Sequence, residues 1–175
     1  MRGDVATMAF RSACRTGLAG ALAFCLGVLP AFAAAQQPFD QREIAAYRLT
    51  EPVYLRFAHA ARIITEASRK EPRLERTPLF TKQFAVSGDV LEMATQLSDR
   101  LDQEPAFRSA LFAAEIDAHE FTTFALALFA ARLALGFVKA HLIHVMPDGV
   151  AGGNVAFVEA HDTEIGALFA EIGVE

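Results

Sequence analysis

The sequence predicts an all-α fold: a single bundle of about five helices around a central hydrophobic helix, preceded by a secretory signal peptide. Three observations predict it. The stretch from Asp117 to Met146 is apolar almost all the way round. The segments flanking it repeat apolar residues at helical spacing and start at capping residues. No segment reads as a convincing strand, and no internal repeat stands out.

The central stretch has two physical readings, a bundle core or a membrane span. Between Phe121 and Val138 its clearly polar side chains are Thr122, Thr123 and Arg132. A span needs about 20 apolar residues, which this run approaches. Arg132 sits well inside it, and an arginine near a bilayer centre costs roughly 2.5 kcal/mol or more. Lys139 follows seven residues on, so both cations share a face, as on a narrow solvent-facing edge. The core reading is therefore preferred.

The first residues carry Arg2, Arg11 and Arg15 against Asp4. An uncharged apolar run follows from Gly17 to Leu29, then Pro30 and the small residues of Ala31 to Ala35. That order is the layout of a secretory signal peptide over residues 1–35, cleaved after Ala33 or Ala35. Retention as an anchor is the alternative. Cys14 and Cys25 would leave with it, and the mature chain would hold no thiol. The expected compartment is periplasmic or extracellular. Residues 36–175 then form one all-helical domain of about 140 residues, enough for a real core without disulfides. The whole chain has a formal net charge of −5, and losing the basic start makes the remainder more acidic. An acidic body without a basic cluster argues against nucleic acid.

The helices follow in order. Asp40 to Tyr47 suits a short helix. Thr50 reads as an N-cap, with Glu51 and Pro52 in the first turn of a helix reaching about Lys70. Val53, Phe57, Ala60, Ala61, Ile64 and Ala67 line its apolar face; Arg56, His59, Arg62, Glu66 and Arg69 line the other. Glu71 to Gly88, punctuated by Pro72 and Pro78, reads as a packed loop with one helical turn after Pro78. Asp89 and Glu92 form a capping-box start for the next helix, which Pro105 ends. Pro105 opens the following one. Asp117 and Glu120 repeat the capping pattern at the head of the central helix. The turn from Met146 to Gly149 ends that helix, and Asn154 caps a last helix from Val155 to about Ile172.

Chemistry is sparse. His141 and His144 are three apart and can share a helical face; His161 falls on the apolar stripe of the last helix. With Met146 or Glu159 these three histidines are the candidate copper or zinc ligands. Their spacing matches no standard metal or haem motif. The opposing reading has a histidine at a helix C-terminus stabilised by the dipole, and one on an apolar face satisfied by a hydrogen bond. Glu115, Asp117 and His119 are accounted for by a capped helix start. The serines Ser68, Ser87, Ser98 and Ser109 lie outside any nucleophile motif. No catalytic residues and no cofactor are expected, so the chain reads as a non-enzyme.

Three stretches resemble a group of small exported all-helical bacterial proteins with no assigned function: Tyr47-Arg48-Leu49-Thr50, the run Phe124 to Ala134, and Asn154-Val155-Ala156-Phe157-Val158. The resemblance implies export and an all-helical fold, and brings no site residues. The expected role is a binding or interaction module taking a small apolar ligand or an envelope protein. Two alternatives are a histidine-based metal-binding protein and a membrane-associated protein anchored by the central helix.

Overall fold

The computed structural model describes residues 38–75, 90–145 and 150–173. The expected leader over 1–35, both cysteines, the Asp89 cap, most of the 71–88 loop and the 146–149 turn lie outside the described residues. Among those described, every element is helical: α1 (Gln41–Ala46), α2 (Glu51–Lys70), α3 (Pro72–Glu75), α4 (Val90–Gln103), α5 (Pro105–Ala113), α6 (Ala118–Lys139), α7 (Gly152–Ala160) and α8 (Asp162–Ile172).

The starts follow from side-chain chemistry. Asp40 accepts from the Arg42 N–H and Asp117 from the Glu120 N–H, each supplying an acceptor the first turn lacks. Thr50 holds the extended N-cap conformation ahead of Pro52, but its hydroxyl makes no cap bond. Glu104 is extended before Pro105, which separates α4 from α5 as the proline requires.

Two predicted ends move. The central helix stops at Lys139, not at the Met146 turn. His141 takes φ 56°, the Leu142 N–H reaches the Phe137 carbonyl at 2.9 Å, and the His141 N–H reaches that of Val138 at 3.0 Å. This pair of bonds is a Schellman close. Its left-handed position is normally glycine, so no glycine marked it in the sequence. The last helix is two helices: His161, at φ −110° and ψ 17°, is both the C-cap of α7 and the N-cap of α8. In the 71–88 segment the described part forms α3, opened by Pro72.

The core gathers where α2 meets α6. The Phe57 ring lies 4.7 Å from that of Phe121 and 4.9 Å from that of Phe124, and all three side chains are fully buried. Helix α5 adds Phe107, Ala110 and Leu111; α8 adds Ile165, Leu168 and Phe169. A smaller cluster of Phe39, Ala94 and Leu126 joins the entry of α1 and helix α4 to α6. The faces predicted for α2 hold for Phe57, Ala60, Ala61 and Ile64, and burial extends to Tyr54 and Ala58 as well.

Candidate functional site

The three histidines proposed as ligands are placed differently from a shared face. His141 and His144 follow the end of α6, on non-helical backbone, and both are exposed. His161 is partly buried at the α7–α8 break. Its ring lies 4.5 Å from that of Phe157 and 6.1 Å from that of Tyr54, and Nδ1 is 3.0 Å from a Glu164 carboxylate oxygen. Aromatic packing and one carboxylate satisfy that imidazole. Among the described residues, no group of three or more His, Cys, Asp or Glu side chains is placed to hold a metal ion.

Glu115, Asp117 and His119 each have a structural task. Glu115 sits at φ 54° in the Schellman close of α5, where the Ile116 N–H reaches the Leu111 carbonyl at 3.2 Å. Its own carbonyl accepts from Arg56 Nη1 at 2.6 Å. His119 stacks on Phe39 at 4.3 Å and meets Glu43 at 2.7 Å, which docks α1 onto α6. Glu120 does not complete the predicted capping box. Its carboxylate is turned outward to the Arg56 guanidinium at 3.1 Å. Arg56 is therefore a bridge between α2 and the α5–α6 turn, not a solvated side chain.

Ser68 and Ser109 spend their hydroxyls on the Ile64 and Pro105 carbonyls one turn back in their own helices. Tyr47 and Tyr54 both rest against Phe124. Burial pushes the Tyr47 phenol up to about 12, with Glu120 adding to the rise and Arg56 opposing it. Burial also raises Tyr54. Such phenols stay neutral across the physiological range.

Sequence reasoning missed Asn154. It is the third residue of α7, whose N-cap position is Ala151, so it does not cap the helix. Its side chain is buried and reaches back across the fold: Oδ1 accepts from the Leu49 N–H at 3.0 Å, and Nδ2 donates to the Tyr47 carbonyl at 2.9 Å. One amide thus satisfies a donor and an acceptor of the α1–α2 connection.

The cations on α6 do share a face, but it looks onto α8 and not onto an open edge. Arg132 lies 4.6 Å over the Phe169 ring, and Lys139 is 3.3 Å from Asp162. The surface features left are apolar. A shallow open depression at the α5–α6 turn is lined by Phe112, Ala113, Glu115, Ile116 and Asp117. Beyond Phe129, α6 exposes Leu133, and the residues after its close expose Leu142 and Val145, which are 70% and 80% accessible. Helix α6 is long and apolar enough to cross a bilayer by length and composition, yet 61% of its apolar window is buried. No protein-family model, curated protein or solved structure matches this chain.

Proposed function

We propose that the chain is an exported helical module that binds a partner at its surface and carries out no chemistry of its own. The observation behind this reading is the run of large apolar side chains exposed at the end of α6. Scattered single apolar residues are ordinary, whereas neighbouring ones mark contact surfaces. Export rests on the basic start, apolar run and small residues of the first 35 positions, and on the likeness to small exported helical proteins. In this reading residues 36–175 are the working domain, about five long helices with α6 at the centre. The burial of α6 favours a core helix over a span.

Cell fractionation with N-terminal sequencing tests it. The protein recovered from the envelope should begin at Ala34 or Gln36. Intact Met1 in the soluble cytoplasm would sink the proposal. Native mass spectrometry of the same material reads the alternative: stoichiometric copper or zinc, lost in His161→Ala, would make this a metal-binding protein.

A further inference from the structure

We infer that the C-terminal end of α6 is a tip that enters the interface of an anionic lipid bilayer; the inference deepens the binding role proposed above by naming its surface and its partner. The geometry comes first. Every residue from Gly136 to Leu142 is exposed. Successive residues of a helix are about 100° apart, so four of them go round the axis. A last turn exposed at each of its positions stands out from the body. The side chains it presents are apolar: Phe137 and Val138 are 37% and 38% accessible, and Leu142 and Val145 follow them. The Schellman close turns the chain at His141 and brings Leu142 back toward Phe137 through the 2.9 Å backbone bond. The apolar residues are thereby gathered at one end of the helix.

The charges identify the partner. The sequence from Phe121 to Val145 holds no Asp or Glu, and its fixed charges are Arg132 and Lys139. His141 and His144 lie among the exposed apolar residues. A cationic, apolar tip on a chain of net charge −5 is complementary to a surface that is negative outside and oily beneath. Lys139 is paired with Asp162, but both side chains are about half exposed, and such a pair is weak enough to exchange for a lipid phosphate. A second copy fits less well. A two-fold contact here would set the Lys139 of one tip near that of the other, without an acidic residue between Phe121 and Val145 to separate them.

The chain contains no tryptophan, so a single introduced indole reports one position. Leu142→Trp and Phe112→Trp place it at the tip and at the 86% accessible Phe112 of α5. Each full-chain variant is titrated with vesicles of phosphatidylglycerol mixed with phosphatidylethanolamine, and with phosphatidylcholine vesicles. We expect a blue shift at position 142 with the anionic vesicles, reduced by added salt, and none at position 112. Co-sedimentation with the anionic vesicles should fall roughly tenfold or more in Phe137→Glu/Leu142→Glu, with helical circular dichroism kept. Binding without a shift at 142 would place contact elsewhere, the apolar N-terminal run included, and would overturn the inference. So would a concentration-dependent shift without lipid, which is self-association, or equal binding to phosphatidylcholine. The vesicle result is independent of where the cell puts the protein, so it and the fractionation result fail separately.

Discussion

The two halves of α6 are alike in sequence and opposite in surroundings. Phe121 through Leu128 are all buried; from Phe129 onward exposure grows, until Leu133 is 57% accessible. The first half is enclosed by Phe57 and Tyr54 of α2, by Phe39 at the entry of α1 and by Ala94 of α4. The second half meets α8 along the line of Phe129, Arg132 and Lys139. The two Schellman closes repeat the contrast. In that of α5 the paired apolar residues, Leu111 and Ile116, are buried; in that of α6 the corresponding Phe137 and Leu142 are exposed. Hydrophobic composition thus announces a helix, while burial depends on which neighbours reach it.

Truncation should separate the halves most sharply. Leu128→Ala removes a fully buried side chain between packed helices and should cost about 2 to 5 kcal/mol. Leu142→Ala removes one that is mostly in water and should stay within roughly 0.5 kcal/mol. Urea unfolding of both variants measures the difference. Equal losses would show that the exposed end is covered in the folded protein, and the contrast would collapse.

The second prediction concerns what keeps the first half enclosed. Tyr47 packs edge-on to Phe124, at 6.2 Å between ring centroids, and Asn154 holds the backbone on either side of Arg48. Asn154→Ala leaves the Leu49 N–H and the Tyr47 carbonyl without that partner. We expect a loss of about 2 kcal/mol, since unmade bonds in partly dry surroundings carry the desolvation penalty of each group. A loss below about 0.5 kcal/mol would mean that water replaces the amide, and that the α1–α2 connection is open to solvent.

How much of this was legible depended on the range of the interaction. Asp40, Asp117 and Pro105 act within one turn of their own position, and their elements begin where the sequence puts them. The all-helical class followed from periodicity of the same local kind. Asn154 acts on residues more than 100 positions away, so it was read by its local habit as a cap. Arg56 was read as solvated for the same reason; its partners, Glu115 and Glu120, lie across the bundle. The end of α6 was misplaced because a histidine occupies a backbone position that favours glycine, and the split at His161 carries no proline or glycine. The candidate histidine site failed with those two boundaries. It needed His141 and His144 on a continuing helix and His161 within one.

The smallest expected effect tests the one polar anomaly in the buried half. Thr122 and Thr123 are essentially inaccessible, and neither hydroxyl has a hydrogen-bond partner. A buried hydroxyl without a partner has lost its water and gained nothing in exchange. Replacing it by a methyl group of similar shape removes that penalty and adds apolar contact. Valine also keeps the branching at Cβ, so the helical rotamer preference changes little. Thr122→Val should therefore raise stability by about 1 kcal/mol, seen as a higher melting temperature, where most core substitutions lower it. The control is Thr65→Val on α2, at a partly exposed position, where the hydroxyl can keep water and the change should be smaller. If Thr122→Val is destabilising, the hydroxyl has a partner after all, such as a buried water or a carbonyl one turn back. The first half of α6 would then be held by polar contacts as well as by packing. If the gain appears, apolar enclosure alone distinguishes that half from the exposed end.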